Sequence, residues 1–258
     1  MIVDTHCHLD DNRYKDDLDE VLDRANSIGV KKFIIPAADP RTLKRAFILS
    51  QRYENIYFAV GVHPYDADVY DRAFLERFIG DKKCVAVGEC GLDYYRLPKD
   101  NNKKEIEKEL QKRVFIDQIE LSIEYNLPLI VHIREASIDS FNILDKYRDK
   151  IRGVLHCYNA HSILLNLQDN FYYGIGGVLT FKNARKLVEI YPKIPQNRLL
   201  IETDAPYLTP HPHRGKRNEP SYTELIALKM AELSNISKDE IEDITTKNAL
   251  NLFSKMAI

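Results

Sequence analysis

The feature that most limits what this chain can become is a repeated alternation of eight short apolar runs with stretches of a different period. The runs cover residues 2–8, 32–37, 56–63, 84–89, 127–133, 153–158, 171–177 and 199–204. They are rich in Val, Ile, Leu and Tyr and are continuous in their apolarity, which suits strands buried on both faces. Between them, apolar residues recur at spacings of three and four over 19–28, 42–53, 72–79, 105–125, 137–147 and 183–191, the helical signature. A Pro-rich, basic loop over 206–220 follows the eighth run, and two helices over 222–233 and 238–253 close the chain.

Eight strand-helix units within 258 residues have the size and rhythm of an α/β, TIM-like (β/α)8 barrel, read as one domain over residues 1–258. An open doubly wound sheet is the rival. No glycine-rich dinucleotide fingerprint and no P-loop follows any run, which lowers that rival and removes the common nucleotide cofactors. The segment 98–112, dense in Lys, Glu and Asn, reads as a solvated insertion leading into the fourth helix.

Composition sets the outer limits. With 44% hydrophobic and 29% charged residues, 10 Gly and 11 Pro, collagenous, low-complexity and disordered classes are excluded. The formal net charge is −2, so any polyanion must be met by a local patch. There is no basic segment followed by an apolar stretch at the N-terminus and no run of about 18 apolar residues, so the expected location is the cytoplasm, with no membrane partner. Cys7, Cys84, Cys90 and Cys157 form no C-x-x-C pair, which fits reduced thiols.

The chemistry gathers at the ends of the apolar runs. His6 and His8 are two apart at the end of the first, so strand alternation sends both side chains to one face. Alone they are as well explained as ordinary polar residues. Other ligand types recur at the same place in later units: Glu89, His132, His156 and Asp204. In a parallel barrel all strand C-termini open on one rim, so these six residues converge, and closure makes the first and eighth strands neighbours. Four imidazoles and two carboxylates exceed one tetrahedral site, which points to two divalent cations with Glu89 as bridge, His6, His8 and Asp204 on one ion and His132 and His156 on the other. The same alternation turns Cys7, Cys90 and Cys157 away from the ligands, as inert thiols.

The segments DTHCHLD, AVGVHP, VGECGLDYY, HIREA, HCY, LLIETDAPYL and RGKRNEP, in this order between residues 4 and 220, resemble the TatD family of metal-dependent hydrolases and deoxyribonucleases within the amidohydrolase superfamily. The resemblance spans nearly the whole chain and includes all six ligand candidates. It implies a TIM-like barrel, divalent metals and hydrolysis of DNA phosphodiesters, and it makes His63 in GVHP a substrate contact, where the residue alone reads equally as a structural rim histidine. Two departures stand out: Tyr158-Asn159-Ala160 replaces the family's more usual Phe-Ser-Gly, and 98–112 is longer than usual.

The expected enzyme is therefore a two-metal deoxyribonuclease acting at accessible strand ends, with Asp204 as proton acceptor and Glu89 and His63 assisting. Arg214, Lys216 and Arg217, in the loop after the eighth strand that ends at Asn218, are expected to clamp a phosphate, with Arg134 as a further candidate. Tyr94, with Tyr95 beside it, is expected to pack on a base, and Asp4 and Glu202 to support the ligands from behind. Four His ligands favour Zn2+ or Mn2+, while nucleases also accept Mg2+. Two other readings stay open: a metallohydrolase of an amide, lactone or aminoacyl ester on the same barrel, and a barrel that binds nucleic acid or metal without turnover.

Overall fold

Strands covered on both sides must be apolar on both sides, and here the strands alternate between two separate apolar layers, except in Cys84–Asp93, where the register with the preceding strand shifts and Val85 and Ala86 both join the inner one. The computed structural model describes Met1 to Met256. Its strands are β1 Ile2–Asp4, β2 Val30–Ile35, β3 Ile56–Val60, β4 Cys84–Asp93, β5 Leu129–Arg134, β6 Gly153–Leu155, β7 Phe171–Ile175 and β8 Leu199–Ile201, paired in parallel in chain order. One layer takes Val3, Ile34, Tyr57, Ala59, Val85, Ile130, Val154, Tyr172 and Leu200 and fills the barrel lumen. The neighbouring residues, among them Ile2, Phe33, Phe58, Leu129, Phe171 and Leu199, belong to the larger layer between strands and helices.

The helices are α1 Leu18–Ser27, α2 Leu43–Arg52, α3 Arg72–Ile79, α4 Asn101–Glu124, α5 Ser137–Lys146, α6 Arg185–Ile190, α7 Thr223–Ser234 and α8 Lys238–Leu252. Between β6 and β7 the connection is a 3-10 turn over Ser162–Leu167. The segment 98–112 is not a separate insertion: α4 begins at Asn101, capped by Asp100, so the charged stretch forms the helix's first turns, mostly solvated until Gln111 is buried against β4. Its Lys and Glu residues pair along the helix, as Lys108–Glu105 and Lys112–Glu109 do, which a loop reading overlooks.

Closure is made past the strand ends. Thr5 N donates to Ile201 O at 3.2 Å, His8 N to Ala205 O at 2.7 Å and Asp204 N to His6 O at 2.8 Å. Asp4 ties the same seam, accepting from Thr203 N at 3.0 Å and Thr203 Oγ1 at 2.6 Å. At the opposite end α8, started by a Ser237–Glu240 capping box, lays Ala249, Leu252 and Phe253 across the lumen, with Met256 beyond it. Asn248 Nδ2 donates to Leu199 O at 2.9 Å, and Lys255 Nζ donates to Cys84 O at 2.9 Å, fastening this plug to the beginnings of β8 and β4. Among the described residues no helix is long and apolar enough to cross a membrane.

Candidate metal centre

Glu89 lies within β4, which runs on past the end of β3 and stays paired with β5 as far as Asp93 and Arg134. Its Oε2 lies 3.3 Å from His6 Nε2 and 4.0 Å from His8 Nε2. Its Oε1 faces the other way, 2.8 Å from His132 Nδ1 and 4.0 Å from His156 Nε2. Asp204 Oδ1 lies 3.3 Å from His8 Nε2, 3.7 Å from His6 Nε2 and 4.0 Å from His156 Nε2. The structure thus brings the six expected residues together. It does so by a different route for β1, which ends at Asp4, so His6 and His8 converge through a turn and the Cys7–Ala205 bridge rather than through strand alternation. Asp204 likewise lies past β8 with a left-handed φ of 56°, a conformation that costs a non-glycine residue about 1–3 kcal/mol and is held by the closing seam.

The donor set fits a cation. His6 is fully buried, stacks on His156 with ring centroids 3.4 Å apart, and both its ring nitrogens lack a hydrogen-bond partner. Leaving a buried polar atom unpaired costs about 1–3 kcal/mol, so such atoms ask for an unseen partner. Imidazole nitrogens and carboxylate oxygens from His6, His8 and Glu89, and from Glu89, His132 and His156, lie within 4.8 Å of one another. Burial alone raises a carboxyl, but the surrounding imidazoles outweigh it and hold Glu89 and Asp204 below their ordinary values, as anions. Burial pulls His156 down, yet Glu202, Glu89 and Asp204 push it up to about 10. Burial and the neighbouring His156 both lower His6.

The supports are carboxylates. Glu202 places Oε1 2.9 Å from His156 Nδ1, leaving Nε2 to face the mouth. Gly174 makes this possible, since a Cβ there would stand 2.2 Å from Glu202 Oε2. Asp4 supports the seam rather than a ligand ring. Asp93, missed in the sequence, places Oδ2 2.9 Å from His132 Nε2. Its signal is parity: Glu89, Gly91 and Asp93 alternate along one strand face.

His63, Asp93 and His132 also form a compact cluster. His63 Nδ1 accepts from Tyr65 N at 3.1 Å, however, so the proton of the neutral ring is on Nε2, which lies 3.8 Å from Glu89 Oε1. Burial lowers His63 to about 4, so at neutral pH its ring is uncharged, with Nε2 aimed at Glu89.

The expected substrate contacts divide. Arg217 turns outward and is committed, with Nη1 2.8 Å from Asp17 Oδ1 and Nη2 2.9 Å from Glu219 Oε1. Asn218 is buried and donates to Thr203 O at 2.8 Å. Arg214 lies over the Phe181 ring and donates to Thr209 O at 2.8 Å, while Lys216 is exposed. None of the three cations lines the cavity of about 880 Å³ that opens beside His132, His156 and Asp204. Arg134 does, stacked 3.7 Å from the centroid of the exposed Tyr95 ring. Tyr94 is not brought to the mouth: its hydroxyl donates to Asp139 at 2.8 Å and Lys108 covers its ring. A Tyr-Tyr pair after a strand puts its two rings on opposite sides, and here the second one faces Arg134.

Cys7 and Cys90 are fully buried, their thiols raised by burial. Cys157 instead contributes to the cavity wall, because it lies past β6 at φ 43°, where alternation no longer applies. Burial, then Glu202, still holds its thiol well above the ordinary value. In the divergent segment Tyr158-Asn159-Ala160, Asn159 Nδ2 donates to Ile133 O at 3.2 Å and Ser137 Oγ at 3.0 Å, so the change ties the loop to β5.

Comparison with known proteins agrees with this geometry. A family model described as "TatD related DNase" matches residues 3–254. The uncharacterized metal-dependent hydrolase YabD of Bacillus subtilis is 43% identical, the match covering 98% of this chain and 99% of YabD. A Cronobacter sakazakii protein named 3'-5' ssDNA/RNA exonuclease TatD is 32% identical over 99% of both chains. The crystal structure of the Escherichia coli TatD homologue YjjV superposes with a TM-score of 0.86 at 29% identity, covering 98% of each chain.

Proposed function

The chain belongs to the TatD family of metal-dependent hydrolases, and on that premise we propose that it hydrolyses phosphodiester bonds in DNA, working from accessible strand ends with two divalent cations. His6, His8 and Asp204 would hold one cation, His132 and His156 the other, and Glu89 would reach both. Bound there, Zn2+, Mn2+ or Mg2+ supplies Lewis-acid polarisation of a phosphoryl oxygen and acidifies water towards neutrality. The observation that carries this reading is the division of Glu89, one oxygen towards His6 and His8 and the other towards His132 and His156.

The remaining steps fall to the protein's own groups. Asp204, held as an anion, takes the proton of the attacking water, a contribution of about 10²–10⁴-fold for a positioned base. His63 donates from Nε2 to a phosphoryl oxygen and cannot serve as base through that atom. Glu202 and Asp93 fix the rings of His156 and His132. Arg134 holds a neighbouring phosphate. The cysteines take no part.

Incubation of an end-labelled single-stranded DNA oligonucleotide with the protein and Mn2+ tests this. The expected result is stepwise shortening that a chelator abolishes; an intact oligonucleotide, with amide or ester substrates cleaved instead, would overturn it.

A further inference from the structure

The cavity beside the metal centre is more than an approach to it, because its walls differ in kind from the mouth. Its floor is apolar, including Val178, Leu187 and Leu208, and its rim carries Arg134 at the end of β5 and Arg185 and Lys186 at the start of α6. Among the described lining residues the one carboxylate is Asp204, which belongs to the mouth. Arg134 is oriented by Tyr95, and neither Arg185 nor Lys186 is in an ion pair among the described residues, so the rim offers uncompensated positive charge in a chain whose formal net charge is −2. At about 880 Å³ the cavity falls within the range of sites that enclose an organic ligand, roughly 300–1,000 Å³.

Cations alone would serve a bare phosphate, and an apolar floor alone would serve any hydrophobe. Together, within reach of His132, His156 and Asp204, they match a group that is aromatic and apolar on its body and anionic at its edge. Resting on the nuclease reading above, we propose that this cavity is a nucleoside subsite: it seats the base and sugar next to the scissile phosphodiester on the floor made by Val178, Leu187 and Leu208, while Arg134, Arg185 and Lys186 take the flanking phosphate. The cations that recognise the strand then come from the end of β5 and the start of α6, not from the basic run after β8. Base contact through an apolar floor is sequence-tolerant, since every base has a face to bury.

The test compares two substrates, a single-stranded DNA oligonucleotide and bis(4-nitrophenyl) phosphate, on the Mn2+-loaded full-length protein. An Arg185→Ala/Lys186→Ala variant should lower kcat/KM for the oligonucleotide, relative to the small diester, at least tenfold, and flatten its salt dependence by about 0.7 per lost charge contact. Lys247→Ala, at the plugged end, should leave the ratio at the wild-type value. Competition by thymidine 5'-monophosphate and by deoxyribose 5-phosphate isolates the base: the nucleotide should inhibit the wild type at least tenfold more strongly, and Val178→Trp should erase that difference. An unchanged substrate ratio in the double variant, or equal inhibition of the wild type by the two competitors, would overturn the subsite while leaving DNA hydrolysis standing. Failure of the wild type to cleave the oligonucleotide would overturn both.

Discussion

Where the strands begin, Ala249, Leu252, Phe253 and Met256 close the lumen with apolar side chains; where they end, His6, Glu89 and His156 are equally buried but polar, and neither ring nitrogen of His6 has a hydrogen-bond partner. The first end collects hydrophobic stabilisation, and the second carries unsatisfied atoms and a left-handed Asp204. Stability and chemistry are thus assigned to opposite ends of one barrel, and a poorly satisfied mouth is tolerated because the plug and the helical layer hold the fold.

Each end of the barrel can be altered on its own. Asp204→Asn should lower kcat on a short single-stranded oligonucleotide by at least a hundredfold with metal in excess, while the thermal midpoint of the metal-free protein stays within a few degrees; near-normal kcat would remove Asp204 as base. Phe253→Ala should do the reverse, lowering unfolding free energy by about 3–5 kcal/mol in a denaturant titration and leaving kcat per folded molecule intact. Loss of kcat without loss of stability in that variant would show that the ends are not independent.

The pH dependence sharpens the contrast. His156 is raised from 6.5 to about 10 in the metal-free fold, so its stabilising contribution is fully present below pH 6.5 and is lost as pH rises through about 10. A cation needs the unprotonated ring, so metal affinity should climb by up to about tenfold per pH unit over the same window. Calorimetric titration of Zn2+ or Mn2+ between pH 6 and 8 reads this, and a flat profile would contradict it. The smallest effect concerns the surface: Arg217→Ala should cost about 1 kcal/mol or less through its pairs with Asp17 and Glu219 and leave KM for DNA unchanged. A raised KM would return Arg217 to the substrate.

What was legible in the sequence follows from which physical signal each residue carries. Continuous apolarity marks doubly covered strands, so all eight were visible; their ends were not, because Thr5 to His8 and Glu202 to Asp204 keep a strand-like composition after the ladder stops. The six ligand candidates were visible as residue types recurring at one place in the repeat. Asp93 was hidden by the extension of β4, which no local propensity announces. Arg214, Lys216 and Arg217 looked like one patch because they are neighbours in the chain, whereas Arg134, Arg185 and Lys186 became neighbours only when the barrel folded. Tyr94 and Tyr95 were indistinguishable in sequence, and only the packing of α4 and α5 decides which ring is covered. The plug was visible as a helix but not as a closure.

The central claim is that the mouth works as a pair of cation sites joined through Glu89. Metal-free protein, prepared by chelation, can be given Mn2+ in fractional equivalents while cleavage of an end-labelled single-stranded DNA oligonucleotide is followed, with wild type and Glu89→Ala side by side. Wild-type activity is predicted to rise until two equivalents are bound and then level off, and Glu89→Ala to show little activity at any ratio while remaining folded. Saturation at a single equivalent, or wild-type turnover by Glu89→Ala, would contradict the account.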